Sequence, residues 1–327
     1  MKIGKLDSKL LKELVFNKIT YKRPEVLERP GIGKDCAIID FGEYDCILST
    51  DPITAAINEI GRLAVHISCN DIATCGIEPL GIMLAVMLPE STTEKQIEDL
   101  MRQAGQAADA LHIEIIGGHT EITKAVIQPV IVATAIGRRK KELMVQRPIE
   151  PGDILLMTKY AGIEGTGIIA SDYSDGLKEV LSPEELKSAK ALLNQISVVA
   201  EGKIAGQIGV LGMHDITEGG ILGAVWEMCE VAHKGAELAL SAIPVLAVTK
   251  KICSYFEIDY LKLISSGCML MIVSPENKEA LISSLKKSAI PVSEIGKITD
   301  KERILVSNGQ RIQILPPESD ELYKIVL

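Results

Sequence analysis

Five short turns constrain this chain more than any other feature: GIGKDCA (31–37), STD (49–51), CNDIATCG (69–76), GGHTE (117–121) and DITEGG (215–220). Each joins a carboxylate to glycine or to the end of an apolar run. Glycine lets the backbone approach a ligand closely and adopt positive φ. Carboxylates gathered at such turns repel one another, and repel phosphate, unless a cation stands between them. Mg²⁺ held by a few carboxylates and by substrate phosphates meets that requirement. The pattern therefore points to a Mg-nucleotide site, but not one of the common kind.

The usual signatures are missing. No GxxxxGK[ST] occurs, Cys36 stands where GxGxxG needs its third glycine, and neither HExxH nor GxSxG is present. P-loop kinases, zincins and serine hydrolases are set aside. The formal charge is −9, with Lys and Arg scattered rather than gathered in the basic patch of a nucleic-acid binder. Aromatic residues are 3% of the chain, too few for a base-stacking platform. No apolar run reaches the roughly 18 residues of a membrane span. MKIGKLDSKLLKEL reads as a short amphipathic helix rather than a signal peptide. Seven cysteines without a CxxC pair suit buried thiols in a reducing cytoplasm. His66, Cys69 and Cys75 match no usual zinc spacing.

At 327 residues the chain can hold two ordinary domains. Residues 45–50, 80–88, 113–116, 126–137 and 154–160 read as strands. Ile57, Ile60, Ala64 and Ile67 have helical spacing over 55–68. Ser91 with Glu94 is a candidate capping box for the helix that runs to Leu111, and Ser182, Pro183 and Glu185 start another over 182–200. AGIEGTG (161–167) reads as a glycine loop, either turning the chain or binding a phosphorylated substrate. The prolines and glycine of RPIEPGD (147–153) mark a boundary. The expected division is a helical segment over 1–30, one domain over 31–147 and a second over 148–327. NDIATCG (70–76) aligns with HDITEGG (214–220), and MLAVMLPES (83–91) with MLMIVSPEN (269–277), which suggests two related α/β halves. Alternation alone would allow a doubly wound parallel sheet.

Taken singly, each turn has a plain alternative: a solvated turn for Asp35, a helix cap for Asp51, a hairpin for GGHTE and a packed turn histidine for His119. Asp71 lies in an apolar helical stretch, where a carboxylate needs a partner. Gly219 and Gly220 open a helix, whose N-terminus attracts anions.

In this order, the GxGxD turn with Asp35, STD with Asp51, Asn70–Asp71 followed by GIEPLG, GGHTE, DITEGG and SSGCML (265–270) resemble the aminoimidazole ribonucleotide synthetase-like superfamily, nearest its hydrogenase maturation branch. The likeness covers about residues 30 to 315. It implies a two-domain α/β (α+β) fold. The N-terminal domain would form an intersubunit β-barrel in a homodimer, with the C-terminal domain packed outside. It implies ATP and Mg²⁺ as cofactors, with Asp35, Asp51, Asp71 and Glu121 at the metal. Gly33, Lys34, Asn70, Gly117, Gly118 and Thr120 would lie around the nucleotide. Asp71, Asp215 and Glu218 would be catalytic, with Thr217 beside them. The implied reaction is phosphoryl activation of an amide-type oxygen. The hydrogenase maturation branch uses it to dehydrate a thiocarbamate on its own C-terminal cysteine. This sequence ends ESDELYKIVL and its last cysteine is Cys268, so that attachment atom is not expected. His119 also stands where many relatives carry an acidic residue. A small-molecule kinase of the thiamine-monophosphate type and a non-catalytic nucleotide-binding dimer or scaffold stay open.

Overall fold

The structure, a computed structural model, describes residues 4–54, 58–141, 147–317 and 319–326. The apolar runs become strands of two mixed sheets. The first contains β1 (Val26–Glu28), β2 (Ala37–Phe41), β3 (Tyr44–Ile53), β4 (Pro79–Leu88), β5 (Glu114–Ile122) and β6 (Val130–Lys140), in the order β1-β2-β3-β6-β4-β5. The second contains β7 (Ile154–Thr158), β8 (Gly212–Asp215), β9 (Gly235–Ala239), β10 (Met269–Val273), β11 (Val292–Thr299), β12 (Arg303–Ser307) and β13 (Gln310–Gln313), in the order β13-β12-β9-β11-β7-β10-β8. The parallel pairs are β4–β5 and β9–β12, and the other pairs run antiparallel. Neither sheet is the doubly wound parallel one that alternation allowed.

Local chemistry sets the helix ends. The first long helix is Ile60–Thr74, so Asp71 sits in its last turn, while Ile57 lies outside the described residues. The next, Glu94–Leu111, is capped by Thr93 and Gln96 rather than by Ser91 and Glu94. Residues 89–92 first close a turn, with Thr92 N–H donating to Pro89 O at 3.0 Å, and only then is a cap free to form. Ser182 and Glu185 do form a reciprocal box before Pro183–Ala191. The glycine-rich stretch 161–167 is mostly helix: Gly162 caps Ile163–Asp172 at φ 72°. Gly165 packs against Leu263 and Gly167 against Leu193, so these glycines serve close packing.

The single helix expected over 182–200 is broken, because Asn70 captures the backbone at the break. Its amide donates to Ile196 O (2.7 Å) and accepts from Val198 N–H (2.8 Å), and a new helix starts at Val199–Ile208. That helix crosses Ile60–Thr74 so tightly that a Cβ on Gly202 would strike Ala73 O, and one on Gly206 the backbone of Gly76. One buried cluster runs through the crossing, from Ile47 and Leu63 to Leu193 and Leu281. Asn70→Ala would orphan two buried backbone groups at about 1–3 kcal/mol each. We expect it to lower the thermal midpoint by roughly 4 °C or more; an unchanged midpoint in a melting curve would show that the tie between the halves is dispensable.

The proposed repeat survives in part. MLAVMLPES and MLMIVSPEN both give a strand followed by a helix and another strand. NDIATCG is the end of a helix, whereas HDITEGG is a strand end and turn, so those two segments are not equivalent.

Candidate functional site

Four segments from the two halves bring carboxylates together. On β3, Ser49 and Asp51 share a face because side chains alternate along a strand. The Ser49 hydroxyl donates to Asp71 Oδ2 in the last turn of Ile60–Thr74. The GIG turn lies on the helix Gly220–Ala232. A Cβ at Gly33 would come within 2.8 Å of Val231 Cγ2 and 3.0 Å of Glu227 O, at a φ of +66°. Glycine there lets the turn settle and deliver Asp35. Finally, β8 ends at His214 and Asp215.

Ligand atoms of Asp35, His214 and Asp215 all lie within 4.8 Å of one another. Asp35, Asp51, Asp71 and Asp215 line one cavity of about 990 Å³, at the upper end of the size usual for ligand pockets. Burial drives the Asp71 carboxyl well above the usual carboxylate range, reinforced by Asp215, Asp51 and Asp35. Burial likewise raises Asp215 to about 8, with Asp35 and Asp51 adding to it and His214 opposing. Asp215 Oδ2 is buried and has no hydrogen-bond partner. An orphaned carboxylate oxygen among three more carboxylates is what a hard divalent cation with oxygen ligands requires.

Behind Asp35 runs a row of alternating charge. His214 Nδ1 lies 2.8 Å from Asp35 Oδ2 and Nε2 lies 3.1 Å from Glu227 Oε2. Burial opposes charge on the imidazole, but the two carboxylates outweigh it and hold its pKa well above the ordinary histidine value. Glu227 is also buried, which would raise it, yet His214 and Lys5 hold it at about 2. Lys5 Nζ is 3.1 Å away.

Thr217 and Glu218 line the same cavity, and Glu218 accepts from Lys5 N–H (3.1 Å) and the Tyr323 hydroxyl (2.9 Å). The anion-attracting start of Gly220–Ala232 is taken by the chain's own Asp320, which accepts from Gly219 N–H (2.7 Å), Ile264 N–H (3.2 Å) and Leu322 N–H (2.8 Å). Burial raises Asp320 to about 6.

Other expected site residues lie elsewhere. Asn70 is fully buried and its amide is used by residues 196–198, so it ties the halves together. Gly33 faces the helix beneath it. Lys34 does line the cavity, paired with Glu28 at 3.1 Å. Gly117, Gly118, Thr120 and Glu121 are not a turn at all. They are exposed on β5, the edge strand three places from β3, about 14 Å away at the usual strand spacing. A Cβ on Gly118 would strike Leu84 O, which explains that glycine by strand pairing. His119 and Glu121 face each other there at 3.4 Å.

Sequence reasoning did not single out Ser49, Glu164 and Asp320, which line the cavity, nor His214 and Glu227 behind Asp35. Ser49 was findable, two residues before Asp51 on one strand face. His214 stood beside Asp215 in HDITEGG, but nothing local showed that it would bridge two distant carboxylates. Among the described residues no helix is long and apolar enough to cross a membrane.

The AIR synthase related protein, N-terminal domain, matches residues 33–139, and the C-terminal domain of the same family matches residues 150–307. A putative hydrogenase expression/formation protein of Methanocaldococcus jannaschii is 24% identical over 96% of this chain and 94% of its own length. The carbamoyl dehydratase HypE of Bradyrhizobium diazoefficiens is 26% identical over 78% of this chain and 74% of that protein. The crystal structure of hydrogenase maturation protein HypE in complex with ATP superposes with a TM-score of 0.72 at 19% identity, covering 98% of this chain and 97% of that one. The mixed two-sheet fold thus has its counterpart in that structure, and the chain belongs to the AIR synthase related family.

Proposed function

We propose that the chain is an ATP- and Mg²⁺-dependent enzyme of the hydrogenase maturation kind, which activates an amide-type oxygen by phosphoryl transfer. The observation that carries this reading is the convergence of Asp35, Asp51, Asp71 and Asp215 on one nucleotide-sized cavity, with Asp215 Oδ2 left without a partner. The ATP bound by the superposed HypE supports it. Phosphoryl transfer is mostly positioning and charge neutralisation. Asp51, Asp71 and Asp215, with Asp35, would hold Mg²⁺, which would offset charge building on the transferred phosphoryl group. His214 fixes Asp35 from behind, and Lys34 stands near the phosphate end. Asp215 and Glu218 face the acceptor from the second half.

The reading includes a homodimer. Met83 and Ile116 on β4 and β5 are 45% and 52% exposed, part of an apolar patch that a second copy would cover. Gly117, Gly118, Thr120 and Glu121 on the β5 edge would then reach the neighbouring copy's nucleotide. The free thiols, five of the seven buried, suit the cytoplasm.

Calorimetric titration with ATP, with and without Mg²⁺, tests the reading, together with ADP release and sedimentation of the same samples. Mg²⁺-dependent binding by a dimer is expected, with ADP release once an acceptor is present. A monomer that binds no ATP under either condition would sink the reading.

A further inference from the structure

Two cysteines meet behind the acidic cavity. Cys36 follows Asp35 in the GIG turn, is 7% exposed and lines the cavity. Cys75 is half-buried and caps the C-terminal end of Ile60–Thr74, four positions after Asp71. Residues four apart are neighbours on a helix surface. The Cys75 N–H bonds Ile72 O at 3.1 Å. The Asp71 carbonyl one turn earlier accepts instead from side chains, Cys36 Sγ–H at 3.1 Å and the Thr74 hydroxyl at 2.7 Å. Cys36 therefore reaches across 35 residues of sequence to the helix end where Cys75 sits. A side-chain hydrogen bond links the two thiols there, and it favours the thiolate on Cys75 while opposing it on Cys36.

The two partners are not equally free to move. The helix end is pinned from behind: a Cβ on Gly76 would come within 3.0 Å of Gly206 Cα on the crossing helix. The GIG turn is a short loop, and it carries Asp35 next to Cys36. Any covalent change between the sulfurs is therefore taken up largely by the turn, and so by Asp35.

We infer that Cys36 and Cys75 are a redox-active dithiol, which a low-molecular-weight disulfide oxidises to an intramolecular disulfide that weakens the Mg-nucleotide site. The Cys75 sulfur attacks one sulfur of the oxidant. The oxidant's S–S bond breaks, and the departing thiolate takes up the Cys75 proton. The Cys36 sulfur then attacks the Cys75 sulfur of the mixed disulfide, and the second thiolate leaves with the Cys36 proton. Two protein thiols give up two electrons to form one disulfide, and the oxidant is reduced to two thiols. Two consequences reach the cavity. The Cys36 sulfur no longer carries a hydrogen to donate to Asp71 O. A sulfur–sulfur bond of about 2 Å also draws Cys36 towards Cys75, whereas a working site tolerates displacements of only about 0.5 Å. The formation of the disulfide stands on the thiol geometry alone. Its effect on the nucleotide rests on reading the cavity as a Mg-ATP site.

The full chain is treated with 2-hydroxyethyl disulfide at about pH 8, denatured, alkylated with iodoacetamide and mapped by peptide mass. The bridge is expected to leave five of the seven cysteines open to alkylation and to join the peptides of Cys36 and Cys75, two hydrogens lighter than their sum. Calorimetry on reduced, oxidised and dithiothreitol-treated samples reads the consequence. Mg-ATP affinity should fall at least about tenfold on oxidation, the range seen when an outer partner of a metal ligand is lost, and return with dithiothreitol. Cys75→Ser should give no bridged peptide, and its Mg-ATP affinity should be untouched by the oxidant. The dithiol is overturned if Cys36 and Cys75 stay free or carry only separate adducts. The effect on the site is overturned if the bridged chain binds Mg-ATP as tightly as the reduced one, or if Cys75→Ser loses affinity equally. A reduced chain that binds no Mg-ATP would overturn the proposed reaction, while the peptide map would still decide the dithiol.

Discussion

Asp71→Asn is expected to raise the thermal midpoint of the metal-free chain while weakening Mg-ATP binding by at least about a hundredfold, since even the outer partners of metal ligands carry ten- to hundredfold effects. Asp71 is buried in the last turn of Ile60–Thr74, beside Asp51 and facing Asp215. Without a cation the folded chain must either hold a buried like-charge cluster or take up a proton, and both oppose folding. Asparagine removes that burden and still offers an oxygen to the Ser49 hydroxyl. A gain of about 1–2 kcal/mol corresponds to a rise of roughly 2–4 °C. Nucleotide binding moves the other way, because the substitution takes one charge from the cation. Melting curves in EDTA and calorimetry with Mg-ATP read the two effects. A variant that loses stability and keeps its Mg-ATP affinity would show that Asp71 is a structural residue.

Raising the pH from about 5 to 8 should destabilise the metal-free chain by about 2 kcal/mol or more, and Mg²⁺ should reverse much of that loss. In the folded chain Asp215 lies at about 8, Glu164 at about 7 and Asp320 at about 6, against about 4 when unfolded. Through this window the folded state therefore binds more protons than the unfolded one, so stability falls as pH rises. His214 acts in the same direction above about 6.5: its folded pKa is raised, so the stability it contributes at low pH is lost as pH climbs through that value. Glu227 is depressed to about 2. Its contribution is present above the unfolded value and is lost only on acidification below it, outside the window. Mg²⁺ binds the ionised carboxylates, so its stabilisation should grow with pH. Denaturation at several pH values, in EDTA and in Mg²⁺, would measure both slopes. A flat profile in EDTA would mean that the four aspartates do not share an uncompensated cavity.

The sequence by itself determined the pieces whose causes are local. The apolar runs at 45–50 and 80–88 lie within strands, those at 126–137 and 154–160 supply much of β6 and all of β7, and Ser182 with Glu185 starts its helix, because pattern and capping act within a few residues. Asp51, Asp71 and Asp215 stood out for the same reason: each is a carboxylate at the end of an apolar element, and the fold gathers all three on one cavity. Tertiary structure decided what depends on distant partners. GGHTE looked like a ligand turn, yet β4 accepts it as an edge strand, with Gly118 fitted against Leu84 O. Asn70 looked like a nucleotide contact, yet a backbone 126 residues further on takes its amide. His214 and Asp35 are 179 residues apart, and no local pattern could announce their pairing. The raised carboxyls of Asp71 and Asp215 arise only when two halves of one chain close on each other. Burial and mutual repulsion are properties of that shared space, and neither is carried by any single segment.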